Sequence, residues 1–284
     1  MKFNRESAEI FIPDGVEAAV ALGRTSHLAI GAHPDDLEIM AIEGILHCFG
    51  REDAWFTGVV VTDGGSSPRA GIYRDYTDQA MRSVRFAEQK KAAVIGEYAA
   101  QVFLDYPSHT VKNAKDATPT LDILGLLQAA RPEVVYTHNL ADKHDTHVAV
   151  AVRVVDAIRQ LPVALRPQRL TGCEVWRSLD WMRDEDKVLM DTSAHENIQA
   201  ALVSLFDSQI ASGKRYDLAV LGRRRANATF LAPRYIEAFS SAVIGMDLTP
   251  LIRDETMDLA AYVGDYIHRF TKDVEDEIRR FTRK

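Results

Sequence analysis

The stretch LAIGAHPDDLEIM, residues 28–40, runs an apolar segment directly into a histidine, a proline and two adjacent aspartates. The segment HLAIGAH (27–33) is short and almost entirely apolar, which is typical of a buried strand. His33, Asp35 and Asp36 follow at its end, where each side chain needs water or a strong polar partner. Because ligands bind beyond the carboxyl ends of strands in open parallel sheets, we expect a functional site here.

The composition is that of one large globular domain, or of one domain with an appendage. The chain has 284 residues, of which 46% are hydrophobic, and its net charge is −7. This acidic balance lacks the electrostatic footprint of a nucleic-acid-binding protein, and no apolar run approaches the ~20 residues of a membrane helix. Two distant cysteines and an N-terminus without an apolar signal region predict a cytoplasmic protein with neither nucleic acid nor membrane as partner.

Strand and helix patterns alternate four times along the first 160 residues or so. This alternation predicts an α/β fold, a Rossmann-like doubly wound sheet that is mostly parallel and carries helices on both faces. The predicted strands lie at 27–33, 55–65, 101–107 and 132–138, and the predicted helices at 37–50, 76–97, 119–130 and 146–161.

The pattern changes in the last third of the chain, where we expect a C-terminal α+β extension. Two short strands are predicted at 173–178 and 187–193, followed by a helix with Ser193 as its N-cap. The final residues alternate charged and apolar types at helical spacing, which predicts an amphipathic helix or helix pair packed on the core or on a partner subunit of a homo-oligomer. The predicted organisation is a Rossmann-like catalytic core (1–170), strands and helices that complete the same domain (171–248), and a helical tail (249–284).

A second polar cluster, THNLADKHDTHVAV (137–150), follows the fourth predicted strand. In the common strand order 3-2-1-4 the first and fourth strands are neighbours at the switch point, so the two clusters should share one crevice. His144 and His147 are three residues apart at a helix start and can face the same side. His33, one aspartate of the pair and one of these histidines would then form a two-histidine, one-carboxylate metal site.

Such a site keeps a coordination position for water, which is typical of catalytic rather than structural zinc. Zinc lowers the pKa of its bound water toward ~7 and so supplies a nucleophile at neutral pH. One of the two adjacent aspartates is expected to bind the metal, and the other could accept a proton from that water.

These residues resemble the PIG-L/LmbE-like zinc deacetylases, which include GlcNAc-phosphatidylinositol de-N-acetylases and the deacetylases of mycothiol and bacillithiol synthesis. AHPDDLEIM is similar to a family pattern of AHPDD followed by an acidic residue, and HNLADKHDTHVAV to a pattern of Asn, Asp, His, two residues and His. The resemblance extends over about residues 26–240. Weaker similarities are VVTDGG (60–65), RFAEQKKAAVIG (85–96), CEVW (173–176) and DSQI (207–210).

The resemblance implies a role for each residue of the two main motifs. His33, Asp36 and His147 would bind Zn²⁺, with Fe²⁺ or another divalent metal as the alternative cofactor. Asp35 would be the general base, and His144 would stabilise the oxyanion and protonate the leaving amine. The implied activity is removal of the acetyl group from an N-acetylated amino sugar of the GlcNAc type, or from its conjugate, by attack of a zinc-bound water.

One position departs from the family pattern in a way that bears on the chemistry. The family often has an aspartate where this chain has Thr146, and that aspartate helps to set the state of the catalytic histidine. Threonine supplies no negative charge, so His144 would have a different pKa or would use another carboxylate as its partner. Asp142 and Asp145 are the candidates.

Candidate substrate-binding residues lie in two segments near the predicted site. The loop 62–77, interpreted either as a substrate lid or as an ordinary mobile loop, contributes Arg69 and Arg74. The second cluster contributes Asn139 and Asp142.

Two other functions fit part of the pattern. A non-haem Fe(II) oxygenase also uses two histidines and one carboxylate, but that class normally has an all-β jelly-roll fold, which the strand–helix alternation does not favour. A non-catalytic ligand-binding protein of the same fold is the second alternative. The presence of both Asp35 and His144 argues against it, while Thr146 leaves it open.

Overall fold

The computed structural model describes residues 1–234 and 236–282, and the strands in this part of the chain form one eight-stranded sheet. The strand order is β1-β4-β3-β2-β5-β6-β8-β7, and only β1 and β8 run against the others. The strands are β1 (Glu9–Phe11), β2 (His27–Gly31), β3 (Phe56–Thr62), β4 (Ala100–Tyr106), β5 (Val134–His138), β6 (Arg169–Cys173), β7 (Lys187–Asp191) and β8 (Ala242–Asp247).

Helices connect the strands and cover both faces of the sheet. Short 3₁₀ helices lie at Gly71–Tyr73, Val163–Leu165 and Asp184–Asp186. The α-helices of the described residues are α1 (Ala18–Gly23), α2 (Asp36–Met40), α3 (Ile42–Cys48), α4 (Asp78–Ile95), α5 (Ser108–Lys112), α6 (Thr118–Ala130), α7 (Asp145–Arg159), α8 (Glu196–Ser204), α9 (Asp207–Ile210), α10 (Tyr216–Thr229), α11 (Thr249–Arg253) and α12 (Leu259–Phe281).

The predicted doubly wound fold is confirmed, including its switch point. The central order β4-β3-β2-β5 is the predicted order 3-2-1-4, and β2 lies in parallel register with both β3 and β5. Alternate residues of β2 enter two separate cores, since Leu28 and Ile30 face α6 and α7 whereas Ala29 faces α2 and α3. Because helices cover both faces of the sheet, both faces of β2 are buried, which explains why its sequence is continuously apolar.

The C-terminal third contains the predictions that were wrong. The strand predicted at 173–178 is instead β6, which ends at Cys173, because the Trp176 N–H donates to a carboxylate of Asp142 at 3.1 Å rather than to a neighbouring strand. Ser193 is not an N-cap, since α8 begins at Glu196 after His195, and the Ser193 hydroxyl donates to Asp191.

Several elements gave no signal strong enough to predict them. β1, α1, α5, α10 and β8 were not predicted, and the predicted helix 37–50 is divided at Ala41 into α2 and α3. The predicted tail is a helix pair, α11 and α12, and Val263 and Tyr266 of α12 pack on the core. The domain boundaries and the homo-oligomer remain predictions. Within the described ranges, no helix combines the length and apolar character that crossing a membrane requires.

Close packing of α3 against β5 leads to a stability prediction. A Cβ added at Gly44 would lie 2.5 Å from a ring carbon of Tyr136, whose hydroxyl is held by Glu43 and Arg169. We expect Gly44→Ala to lower the free energy of unfolding by about 1–3 kcal/mol, as overpacked cores do. Chemical denaturation measures this loss.

Gly264 provides the matched control, because it is also helical and an added Cβ meets nothing within 4 Å. Gly264→Ala should be neutral or should stabilise by about 0.5–1 kcal/mol. If Gly44→Ala were as stable as the parent protein, the packing of Tyr136 on α3 would be looser than described.

Candidate metal and catalytic site

The turn after β2 delivers the first polar motif to the carboxyl edge of the sheet. The chain leaves β2 at Gly31, and Asp35 adopts a left-handed conformation with φ of 95° before α2 begins at Asp36. The Asp36 carboxylate accepts a hydrogen bond from the His33 N–H at 2.7 Å, which closes the turn. Both aspartates are thereby held at the sheet edge, on the side where β5 also ends.

The structure brings three of the predicted ligands to one point. His33 Nδ1 lies 3.2 Å from Asp36 Oδ2 and 3.2 Å from His147 Nε2, although the two histidines are 114 positions apart. The third pair, His147 Nε2 and Asp36 Oδ2, is 3.4 Å apart. The convergence predicted from the strand order is thus present in the fold.

These separations fit a divalent metal ion. Zinc bonds of about 2.0–2.1 Å in tetrahedral geometry place neighbouring donor atoms about 3.3 Å apart. Two imidazole nitrogens and one carboxylate oxygen therefore lie near the corners of one face of such a tetrahedron. Three protein donors leave the fourth position for water or substrate.

His138, the last residue of β5, is a buried member of this cluster that we did not predict. Its Nε2 accepts the Ala32 N–H at 2.8 Å and lies 3.3 Å from Asp36 Oδ2, and its ring stacks on His147 at 3.8 Å. Asp36, His138 and His147 form a second donor set that could hold a metal. His138 belongs both to the predicted strand 132–138 and to the second polar cluster 137–150, but it was not given a role; a histidine at the end of a strand was the available signal.

The sequence left open whether Asp142 or Asp145 is the carboxylate partner of His144, and the structure places the two side chains beside different histidines. Asp142 Oδ1 accepts the His144 N–H at 2.9 Å and lies 3.7 Å from His147 Nδ1, so it is placed to orient the His147 ring. Asp145 Oδ1 lies 3.6 Å from His144 Nδ1, and its other oxygen accepts from Lys112 at 3.0 Å. Asp145 is therefore the carboxylate beside the His144 ring.

His144 also caps α7 through its side chain. Its Nδ1 accepts the Thr146 N–H at 3.3 Å, which assigns the proton of the neutral imidazole to Nε2. Thr146 stands where the family often has an aspartate, and in this chain it donates its backbone N–H to His144.

Asp35 is held by two side chains from consecutive turns of α4. Gln89 Oε1 accepts the Asp35 N–H at 3.1 Å, while Arg85 donates to the Pro34 carbonyl and lies 3.2 Å from Asp35 Oδ1. Gln89 is itself oriented by its Nε2, which donates to the buried Glu38 at 2.7 Å. These contacts over-determine a backbone conformation that aspartate disfavours, as is common at active sites.

The adjacent carboxylates have opposite pKa shifts. Burial raises the pKa of Asp35 to about 8, with Arg85 opposing the shift. Burial would raise the pKa of Asp36 too, but the nearby imidazoles of His147 and His138 outweigh it and hold the pKa well below its usual value. One carboxylate is thus kept ionised and the other can carry a proton near neutral pH, a division typical of acid–base sites.

The structure does not bring the four candidate substrate-binding residues to the cavity wall. Arg69 donates to the Gly65 carbonyl and to Asp78, and Arg74 is exposed. The amide of Asn139 is buried and contacts the backbone of Ala141 and Gly172. Asp142 lies beneath His147, as described above. Their role in substrate binding stays a prediction, and the loop 62–77 reaches the cavity through Gly64 and residues 66–68 instead.

A cavity of about 410 Å³ opens above the donor cluster. Its floor contains the reactive groups, and its walls come from the loop after β3, from α5, from the segment after β6 and from α10. The floor residues are His33, Asp35, Asp36, Arg85 and His144.

Residues 28–158 match the family model described as GlcNAc-PI de-N-acetylase, the PIG-L family. The predicted resemblance to the PIG-L family is confirmed. The PIG-L segment contains both polar motifs and ends within α7, so it includes every residue of the donor cluster. No curated protein sequence matches the chain significantly.

Solved structures with the same fold share little sequence with this chain. A conserved protein from Thermus thermophilus is 21% identical, with a TM-score of 0.58 over 78% of this chain and 94% of its own. N,N'-diacetylchitobiose deacetylase from Pyrococcus horikoshii is 12% identical, with a TM-score of 0.62 over 88% and 93%. The 4-carboxy-2-hydroxymuconate hydratase from Pseudomonas putida is 16% identical, with a TM-score of 0.59 over 79% and 96%. The PIG-L match supports a deacetylase, and the solved structures show that the chain shares their mixed α/β fold.

The positive φ of Asp35 leads to a stability prediction that does not depend on activity. The free energy of unfolding of Asp35→Gly should exceed that of Asp35→Ala by about 1 kcal/mol, because only glycine adopts this backbone conformation without strain. Thermal and urea denaturation of the two variants measure the difference.

Lys91, an exposed residue within α4, gives the matched control. There the order should reverse, with Lys91→Gly less stable than Lys91→Ala by about 1 kcal/mol. The same order at both positions would contradict the strain assigned to Asp35.

Proposed function

We propose that the protein is a metal-dependent hydrolase that removes the acetyl group from an N-acetylated amino sugar of the GlcNAc type, or from its conjugate. The observation that carries the proposal is the set of three donor atoms 3.2–3.4 Å apart, formed by His33, Asp36 and His147, with Asp35 and His144 beside it. The PIG-L match over this segment and the chitobiose deacetylase fold support the same reaction.

His33, Asp36 and His147 would hold the metal, with Zn²⁺ as the first candidate and Fe²⁺ as the alternative. Once bound, such an ion supplies a Lewis acid and lowers the pKa of water. The mixture of imidazole and carboxylate donors suits zinc and iron better than calcium or magnesium, which prefer oxygen ligands only.

Asp35 would act as the general base. Its carboxylate borders the cavity, and the contacts of its backbone N–H and of the preceding carbonyl with α4 fix its direction. Arg85 beside it limits the rise in pKa that burial causes, so part of the population is ionised at neutral pH. A carboxylate with this pKa can take a proton from water and release it later in the same cycle.

His144 would act on the leaving side of the amide. Its Nδ1 is engaged by the Thr146 N–H, so Nε2 carries the transferable proton. The ring lines the cavity 5.0 Å from the His33 ring, which puts it beside the donor cluster. As a neutral ring, His144 can stabilise negative charge on the carbonyl oxygen through its Nε2–H. As an imidazolium, with its second proton on the Nδ1 that faces Asp145, it can protonate the departing amine.

The two alternative functions have less support. An oxygenase with the same donor types would be expected on a jelly roll, whereas this sheet is doubly wound and mostly parallel. A non-catalytic protein would not need Asp35 in a strained conformation held by three contacts from α4.

The decisive measurement is acetate release from GlcNAc, its oligomers and its conjugates, with and without chelator. We expect activity that is abolished by chelator and restored by added Zn²⁺. Asp35→Ala should keep the metal, measured by elemental analysis, and lose about 10²–10⁴-fold in turnover, because proton transfer contributes about that much. Full activity in this variant would show that the base is misassigned.

Substituting a metal ligand should weaken metal affinity more than substituting the carboxylate that orients that ligand. We expect His147→Ala to lose the metal, because it removes one of three donors. Asp142→Ala should weaken metal affinity by about 10–100-fold, since Asp142 orients the His147 ring from behind. Competition with a chromophoric chelator measures both affinities.

Asp122→Ala is the control for removing a buried carboxylate. Asp122 accepts from Tyr106 and Asn4 and does not line the cavity, so its loss should reduce stability and leave metal affinity unchanged. Equal metal affinity in Asp142→Ala and in the parent protein would contradict the orienting role.

A further inference from the structure

One wall of the cavity is a face of α10, a helix that follows the donor cluster by about 70 residues in the sequence. Tyr216, Ala219, Val220 and Arg223 all line the cavity, and their spacing of i, i+3, i+4 and i+7 places them on one side of the helix. Between the two polar ends of this row lie only the side chains of alanine and valine. This part of the wall presents no hydrogen-bonding group to a ligand.

Residues from two other segments extend the apolar surface. Val175 and Trp176 follow β6, and Ile39 belongs to α2. Trp176 is 36% exposed as a residue, and its indole meets the Tyr216 ring edge-on at 6.1 Å. We call these six residues the apolar wall: Ile39, Val175, Trp176, Tyr216, Ala219 and Val220.

The apolar wall is fixed in place relative to the catalytic floor. Arg224, the residue after the last cavity-lining position of α10, is 2% exposed and donates to the carbonyls of Glu38 and Ile39. Arg223 donates to the carbonyl of Val175. Two adjacent arginines thus tie α10 to α2 and to the segment after β6, which makes the wall a preformed surface.

The wall lies on the side of the cavity toward which the amine would leave. The Trp176 ring is 6.5 Å from the ring of His144, the residue assigned to protonate the leaving amine. In an N-acetyl sugar the amine belongs to the sugar, so groups attached to the sugar extend toward the wall. The acetyl group would remain at the donor cluster.

We propose that the apolar wall binds an apolar aglycone, alkyl or aromatic, carried by the acetylated amino sugar. This inference rests on the proposed deacetylase function. Hydroxyl groups of a further sugar placed against Val175, Ala219 and Val220 would lose water without gaining a hydrogen-bond partner. An apolar group placed there gains about 25 cal/mol per Å² of buried surface.

The wall is also the part of the cavity that the family match does not explain. Of its six residues only Ile39 lies within the matched range 28–158, and the other five lie C-terminal to that range. The catalytic floor and the specificity surface are therefore encoded in separate parts of the chain.

The test compares free GlcNAc with its p-nitrophenyl and octyl glycosides, using kcat/KM for acetate release by the metal-loaded protein. We expect the apolar glycosides to be preferred at least about tenfold, the change given by burying roughly two methylene groups. Quenching of tryptophan fluorescence gives the dissociation constants of the same ligands independently of turnover. A glucosamine carrying an N-butyryl group tests whether any gain follows the acyl chain instead.

Ala219→Arg and Leu218→Arg are matched variants of adjacent residues on α10. Ala219 lines the cavity, whereas Leu218 is 58% exposed and does not. The preference for apolar glycosides should disappear in Ala219→Arg and persist in Leu218→Arg. Val220→Thr, which replaces a methyl group with a hydroxyl, should reduce the preference, because an apolar group bound there would leave that hydroxyl without a hydrogen-bond partner.

Each outcome separates the inference from the proposed function. Equal kcat/KM and equal dissociation constants for GlcNAc and its apolar glycosides would overturn the inference and leave the deacetylase intact. A gain that follows the butyryl group would overturn it as well. Tight, Ala219-dependent binding of the glycosides without acetate release from any compound would support the wall and overturn the deacetylase.

Discussion

The parallel pairing of β2 with β5 is the constraint on which the rest of the site depends. In this register Ile30 is opposite Thr137, so the two strands end side by side and their following segments enter the same space. His33 and Asp36 come from one segment and His147 from the other, and their donor atoms meet at 3.2–3.4 Å. A shift of one residue in this pairing would turn the flanking side chains to the other face and separate the donors.

The second requirement is that Asp35, the proposed general base, be held in a backbone conformation that aspartate disfavours. Asp35 has a positive φ, and α4 maintains it through Arg85 and Gln89. Gln89 continues into a buried polar network with Glu38, which also accepts from Tyr98 at 2.7 Å. Burying so many polar groups costs free energy unless each is paired, so the network fits a site that needs rigidity more than maximal stability.

How much could be predicted from the sequence depended on the strength of each local signal. The four central strands and their helices were predicted because apolar runs and helical periods are long there, whereas β1 has three residues and β8 and α10 lack a clear period. The predicted strand order grouped His33 and the aspartate pair with His144 and His147, and the family resemblance supplied the choice of Asp36 and His147. His138 was not singled out, because its burial beside Asp36 and His147 is visible only in the structure, and the choice between Asp142 and Asp145 also required side-chain positions.

The sequence by itself determined the fold class, the order of the central strands and the residue types that gather at the carboxyl edge. These follow from local periodicity and from the motifs AHPDD and HDTH, which are written in consecutive residues. Only the tertiary structure decided which carboxylate lies beside which histidine, how α4 holds Asp35, and that α10 joins α2 and the segment after β6 in the apolar wall. Those contacts join residues far apart in the chain, and their geometry depends on how the helices pack on the sheet, which no local pattern encodes.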